Sequence, residues 1–341
     1  MYLVSASGQE SKGIINLSGE KEYTFDEMID YKEGDRGFKV KAEDTYGYIT
    51  ISTLPVTYKT IPGPSLTLTE STIFAGTDAK KGVPVQIESV RGVHEVVIYR
   101  IENGSEVEAL RETKNGEHTL NYAPEIDFTE ATSKLKVVVS DGREGKEAIG
   151  YMKAYVNMDV ATLNVGSQPL ANNAHVKYPD AFGMVSLNDL KTYSVDYAIA
   201  NEVNAKNVDF KFYCFGASGS PRLYSMDNTG KDGEFSGSTG KLSAIKVKNL
   251  TRFAILSNFD YENATVASIS SEILSSSIAQ SLLDPIAVGN VIAFRTGGSS
   301  AAGGGRIGVM KVINITEPKE LVSNNATARV MTVEIKFPKK K

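Results

Sequence analysis

The chain alternates apolar and polar residues in short runs that stop at turn signals. Val96-Val-Ile-Tyr-Arg-Ile101 ends at Asn103-Gly104, and Leu135-Lys-Val-Val-Val-Ser140 ends at Asp141-Gly142. Asn-Gly and Asp-Gly reach the backbone conformations a tight hairpin needs, so each run predicts a strand. Val208-Asp-Phe-Lys-Phe-Tyr-Cys-Phe215 predicts a central strand, residues 291–315 a hairpin, and Val330-Met-Thr-Val-Glu-Ile-Lys-Phe337 a last alternating strand. Helical spacing is rare. Residues 196–205 put Tyr197, Ala200 and Val203 near one face, and residues 267–283 form a second candidate. Strands outnumber helices, which predicts an all-β protein.

The pattern repeats. Moved forward by 97 positions, the first 58 residues fall on residues 98–155 without a gap and with ten identities. Ser18-Gly-Glu-Lys-Glu-Tyr-Thr-Phe25 meets Asn115-Gly-Glu-His-Thr-Leu-Asn-Tyr122, Phe38-Lys-Val40 meets Leu135-Lys-Val137, and Asp44 meets Asp141. Short punctuated strands in a unit of about 90 to 100 residues are what an immunoglobulin-like sandwich requires. The predicted organisation is an incomplete immunoglobulin-like module over 1–60, a second over 66–157, and a larger β-sandwich domain with one or two short helices over 158–341. Ile61-Pro-Gly-Pro64 is the linker, because its prolines stiffen the backbone and remove strand donors. Met1 falls on Ile98, inside a strand of the second copy, so the counterpart of 66–97 is expected upstream of the sequence.

Composition narrows the partners. With 37 basic against 41 acidic residues the net charge is −4, which gives no basic excess for nucleic acid. No apolar run reaches the roughly 18 residues that span a bilayer. The start, Met1-Tyr-Leu-Val-Ser-Ala-Ser7, does not read as a secretory signal. The single cysteine, Cys214, excludes an internal disulfide and sits in an apolar run, as a packed thiol does.

The two modules, with turns such as Asp44-Thr-Tyr-Gly47 and Asp141-Gly-Arg-Glu-Gly145, resemble the immunoglobulin-like repeats of bacterial surface proteins. The last domain resembles one found in secreted lipoproteins of Bacteroides and its relatives. The residues that carry this are Tyr193-Ser-Val-Asp-Tyr-Ala-Ile-Ala200 with Val208-Asp-Phe210, then Ile286-Ala-Val-Gly-Asn-Val-Ile-Ala-Phe-Arg-Thr296 with Arg306-Ile-Gly-Val-Met-Lys-Val312. The resemblance implies an exported cell-adhesion protein, lipid-anchored on the outer membrane through a segment upstream, whose partner is an extracellular glycan or surface protein. It carries over no site residues. Six Asn-x-Ser/Thr sequons, at Asn16, Asn103, Asn249, Asn263, Asn314 and Asn325, raise a eukaryotic cell-surface alternative. The absence of Trp and of a cysteine pair argues against antibody-type domains.

Chemistry is sparse. Gly303, Gly305 and Gly308 spell the spacing of a dinucleotide loop, but the residues after them are β-branched and predict a strand where that loop needs a helix. His94, His118 and His175 stand apart, so no zinc spacing exists, and no metal or cofactor is expected. Asp227-Asn-Thr-Gly-Lys-Asp-Gly-Glu234 is acidic yet departs from a calcium loop at its fifth and sixth positions, and reads as an exposed turn. Paired carboxylates for glycosidase chemistry are a property of the fold rather than of spacing. For glycan stacking, the loop aromatics Tyr178, Phe182, Tyr213 and Tyr224 are the nominated ligand-binding residues, with core packing as the competing reading. The expectation is a non-enzymatic surface protein for adhesion or ligand capture. The alternative is a glycan-binding subunit of a polysaccharide-uptake system or a glycan-active enzyme.

Overall fold

The structure is a computed structural model that describes residues 2–5, 7–8, 10–12, 18–22, 24, 35–55, 61–214, 219–316 and 328–340. The protein is all-β, built from several sheets with three short α-helices among the described residues. The first four strands are β1 (Tyr2–Val4), β2 (Glu10–Lys12), β3 (Gly37–Glu43) and β4 (Ile49–Pro55), in the order β2-β1-β3-β4. Next come β5 (Ser65–Leu68), β6 (Thr72–Ala75), β7 (Lys81–Gly82), β8 (Val85–Glu88), β9 (Glu95–Glu102), β10 (Ser105–Thr113), β11 (Thr119–Tyr122), β12 (Glu125–Ile126), β13 (Thr132–Ser140) and β14 (Glu147–Val156). Their main sheets run β10-β9-β13-β14-β6 and β11-β8-β5. β6 lies parallel to β14, whereas the other pairings are antiparallel.

The 97-residue shift holds in the strands. It carries β1, β2, β3 and β4 onto β9, β10, β13 and β14, and the strand order is the same. The pairing Tyr2 with Lys39 becomes Tyr99 with Lys136. At the β3–β4 hairpin the copies differ by one place, since Phe38 faces Leu54 but Leu135 faces Met152. The repeated aspartates have a local reason. The Asp44 carboxylate accepts from the amides of Tyr46 and Tyr48, and that of Asp141 from the amide of Arg143, so each closes its turn. Arg143 also donates to the Ile61 and Pro62 carbonyls, at 3.0 and 2.9 Å, and so clamps the linker to this turn. Repeat positions 29–30 lie outside the described residues.

Alternation builds the second sandwich. Val96 and Ile98 on β9 and Leu135, Val137 and Val139 on β13 face Val85 and Ile87 on β8, all essentially inaccessible. Each such side chain contributes about 1.5–3 kcal/mol by leaving water.

The C-terminal sandwich is laid out in more layers. It comprises β15 (Met158–Gly166), β16 (Met184–Ser186), β17 (Lys191–Tyr193), β18 (Phe210–Tyr213), β19 (Arg222–Ser225), β20 (Arg252–Leu256), β21 (Leu282–Leu283), β22 (Val291–Arg295), β23 (Ile307–Ile315) and β24 (Val330–Pro338). The sheets run β15-β24-β23-β22-β20 and β17-β16-β18-β19-β21, and a core containing Phe210, Phe212, Phe253, Phe294 and Phe337 fills the space between them. Helices α1 (Val195–Ala200) and α2 (Glu202–Lys206) cover the outer face of one sheet, where Val195, Ala198 and Ala205 pack with Tyr213 and Tyr224. Helix α3 (Val266–Glu272) covers the other, through Val266 and Ile269. A strand covered on both faces reads as a continuous apolar run, which is why β18 looks central in the sequence.

The helices are shorter than their patterns. The 196–205 candidate splits at Asn201, whose extended backbone (φ −160°) and side chain cap α2 by accepting from the Asn204 amide. The 267–283 candidate is helical only to Glu272. Thr265 and Ser268 form a capping box at its start, but the Ser-rich run after Ile273 continues as a single 3₁₀ turn at Ser275–Ser277.

Candidate binding cleft

The glycine-rich segment is a hairpin. β22 and β23 pair from Arg295–Ile307 to Val291–Lys311, and the loop between them is bonded to itself and to its neighbours. The Gly305 amide donates to the Thr296 carbonyl, the Gly303 amide to Ser300, and the Ala301 amide to Lys206 at the end of α2. These donors are therefore not turned toward a phosphate. Gly303 and Gly305 hold left-handed backbone (φ +94° and +76°), and a Cβ on Gly297 would lie 2.4 Å from the Leu250 amide nitrogen. Turn geometry and close backbone approach account for the glycines.

The acidic loop 227–234 differs from its exposed-turn reading, because Asp232 is buried. The cause is an internal cation. Lys211, on β18, points into the helical layer between the rings of Tyr224 and Phe235, at 5.7 and 5.9 Å. Its ammonium donates to Asp232 Oδ1 at 2.5 Å and to the Asn228 carbonyl at 2.9 Å. Lys248 reaches Asp232 Oδ2 at 3.2 Å, and Arg252 forks onto Asp227 with two 2.8 Å bonds. Burial lowers the Lys211 pKa, and the Asp232 contact opposes it. The loop carboxylates are thus compensated by side chains.

Tyr213 and Tyr224 meet edge to face at 6.0 Å, each only 4% exposed, so protein occupies their ring faces. The Tyr213 hydroxyl donates to Glu234 at 2.7 Å. Tyr178 is half-buried against Leu170, Ala181, Ala328 and Val330 in a separate cluster, and Phe182 beside it is half-buried. The nominated aromatics therefore fall into two places, one inside the core. Cys214 is buried in the sandwich core, where burial pushes its thiol up and away from the reactive thiolate. Asn249 is also buried, with its amide donating to the Lys206 and Val208 carbonyls at 2.8 Å, so this sequon is sealed in the fold. Asn16 and Asn325 lie outside the described residues.

A concave surface lies where the second sandwich meets the C-terminal one. A single residue, Asn157, separates β14 from β15 and takes a left-handed turn (φ +49°). Its amide donates to the Ala75 carbonyl, its side chain to Thr77 and Glu130, and its carbonyl accepts from the Lys339 amide. Tyr155 of β14 is buried with Met158, Tyr261 and Ile269 of the C-terminal sandwich. Glu262 takes Lys311 at 2.8 Å and Lys153 of β14 at 3.7 Å. The Ala267 amide at the start of α3 donates to the Glu130 carbonyl. The joint is apolar at its centre and bonded around its rim.

Beside this joint opens a cleft of about 480 Å³. The β9–β10 turn brings Asn103 and Gly104 to it, and β13 brings Ser133 and Lys134. From the other side come Asp260, Asn263, Ser268 and Glu272. Glu272, at the end of α3, also borders a shallower hollow of about 710 Å³ that contains Ile255, Phe259 and Gln280. Hydrogen bonds from the Asn263 side chain (2.8 Å) and amide (3.2 Å) hold the Asp260 carboxyl below its ordinary range. Lys134 and Glu272 take part in no ion pair among the described residues. The lining offers amides, hydroxyls, the Lys134 cation and the Glu272 and Asp260 carboxylates, the last held by Asn263, which suits reversible hydrogen bonding. Its two sides come from segments 126 residues apart or more, Lys134 and Asp260 being the nearest in sequence, and no local motif marks them. The hairpin pair Asn103-Gly104 is the one element the sequence picks out.

Among the described residues, no three of His, Cys, Asp and Glu are grouped to hold a metal ion, and no helix is long and apolar enough to cross a membrane. No family model matches the chain, and no curated protein matches it either, so the functional reading rests on geometry.

Proposed function

We propose that the protein is a non-enzymatic, exported surface protein that captures a ligand in the cleft between its second and C-terminal sandwiches, in adhesion or in nutrient uptake. The carrying observation is that both sandwiches contribute polar and charged side chains to one cleft and are tied together directly beside it. A site on a rigid scaffold loses little order on binding. The strand order of the second sandwich, with β6 beside β14 and a three-stranded sheet opposite, supports the immunoglobulin-like reading. A lipid anchor upstream and a Bacteroides-type surface location remain part of the proposal through the sequence resemblance.

The glycan-active enzyme is the weaker reading. A glycosidase needs a carboxylic acid with a raised pKa beside its substrate. Among the described carboxyls with a resolved shift, Asp209 alone is raised, to about 6, and it is fully buried away from the cleft. Asp260, in the cleft, is shifted the opposite way.

The test is an array of glycans and host-matrix proteins probed with the whole chain and with Glu272→Arg. Arginine fills the cleft with a bulky cation and suits the last turn of a helix, so the fold is kept. Binding should fall at least about tenfold, the equivalent of 1.4 kcal/mol. Unchanged binding by Glu272→Arg would place recognition elsewhere.

A further inference from the structure

We infer that the ligand of this cleft is a neutral oligosaccharide long enough to leave it and lie across the outer face of the second sandwich. This rests on the cleft being the recognition site. The first ground is continuity. Ile101 and Lys134, which line the cleft, are cross-strand neighbours, and Lys153 continues their row. Two residues farther along the same strands, hence roughly 7 Å away on the same face, the row is Tyr99, Lys136 and Tyr151. Tyr151 is 60% exposed. The two tyrosines stand two strands apart, about 10 Å, the reach of a disaccharide. The path from cleft to tyrosines needs no bend in the sheet.

The second ground is charge. Among the described residues, Lys134 and Glu272 of the cleft form no ion pair, and the Asp260 carboxylate beside them is held by Asn263, so a ligand of either sign would be repelled by part of the lining. A hydroxyl both donates and accepts, and a polyhydroxylated chain satisfies both groups at once. Charges along the tyrosine row are already matched. Lys136 holds Glu106 at 2.9 Å, and Arg111 holds Glu95 and Glu108 at 2.6 and 2.7 Å. Lys136 also lies over the Tyr99 ring at 5.5 Å, so the ring surface that face leaves for a ligand is chiefly that of Tyr151, which stacks on the apolar face of a sugar.

The experiment titrates the intact chain with neutral oligosaccharides of increasing length and with uronic-acid chains of matched length, for the parent, Tyr151→Ala and Glu272→Arg. The inference expects affinity to rise with length for neutral chains, and Tyr151→Ala to lose up to about tenfold on the longest chains while the gain with length disappears. Glu272→Arg should weaken every length. A parent that prefers uronic-acid chains, or Tyr151→Ala binding long chains like the parent, overturns the inference. If the parent binds no saccharide yet Glu272→Arg abolishes capture of a matrix protein, the inference fails and the cleft stands. If Glu272→Arg alters nothing that the parent binds, the cleft itself fails.

Discussion

The second and C-terminal sandwiches are built by the same alternation, yet one keeps its core apolar and the other encloses charge. Between β9, β13 and β8 the core side chains are Val, Ile and Leu, and the buried polar residues at the start of β13, Thr132 and Ser133, are uncharged. In the C-terminal sandwich Lys211, Asp209, Asp232 and Lys336 are all buried. The difference follows from the number of covered faces. A strand in a two-layer sandwich sends every second residue to water, and polar residues go there. β18 and β24 are covered on both sides, so the residues that alternate with Phe210, Phe212, Ile335 and Phe337 are also enclosed, and at Lys211 and Lys336 those residues are charged. Each must then find a partner. Lys211 has Asp232, and Lys336 donates to the Tyr261 and Glu262 carbonyls, with burial lowering its pKa to about 8. An apolar core is damaged through lost contacts and cavities, whereas an enclosed charge is damaged through loss of its partner.

The sharpest way to break this contrast is Asp232→Ala. Leaving the Lys211 ammonium buried without its carboxylate should cost about 3–5 kcal/mol. Hydrogen exchange should accelerate in β18 and β19 while β9 and β13 keep their protection, and equal acceleration in both sandwiches would show that they unfold as one unit.

Next in size is a dependence on pH. Burial raises the Asp209 carboxyl to about 6 from 3.8, against hydrogen bonds from Ser300 and the Leu187 amide that favour the charged form. The folded state therefore keeps a proton that the unfolded chain has already released. The associated stability is complete below about pH 4 and is lost as pH rises through about 6, by at most about 3 kcal/mol. Chemical denaturation followed from pH 4 to 7 should show this loss in the C-terminal sandwich, and Asp209→Asn should flatten it. A profile that climbs over the same range would contradict the enclosed carboxyl.

The smallest effect compares two strand glycines. On Gly308 of β23 a Cβ would lie 2.4 Å from Phe294 and 2.7 Å from Phe337, both locked in the core, so Gly308→Ala should cost about 1–3 kcal/mol. On Gly150 of β14 the nearest atoms are the flexible ends of Leu68 and Leu66, at 3.0 and 3.1 Å, and Gly150→Ala should cost less than about 1 kcal/mol. Melting temperatures of the two variants read the difference directly.

The all-β class, the repeat and the β22–β23 hairpin were legible in the chain because each rests on local alternation and turn residues. Asn103-Gly104 and Asp141 mark their turns by side-chain chemistry alone. The loop 227–234 is exposed at Thr229, Gly230, Gly233 and Glu234, as its sequence predicts, but Asp232 is enclosed because its neutralising charge, Lys211, comes from a strand before it in the sequence. Tyr213 and Tyr224 looked like loop rings because the helical layer that covers them is assembled from α1, α2 and residues up to Ile245. The cleft was invisible for the same reason on a larger scale. Lys134 and Glu272 acquire a relationship only once Asn157 has set one sandwich against the other.

That single-residue joint has a mechanical consequence. β15 begins at Met158 and β24 finishes opposite it at Pro338, so the C-terminal sandwich is entered and left at one corner. Tension applied across that corner would peel β15 from β24 one ladder bond at a time, the compliant direction for an antiparallel pair. Under the proposed function, a ligand held in the cleft would pull instead on α3 and the β9–β10 turn, on either side of Tyr155 and Asn157, and the load would pass into the second sandwich without crossing the five phenylalanines of the C-terminal core.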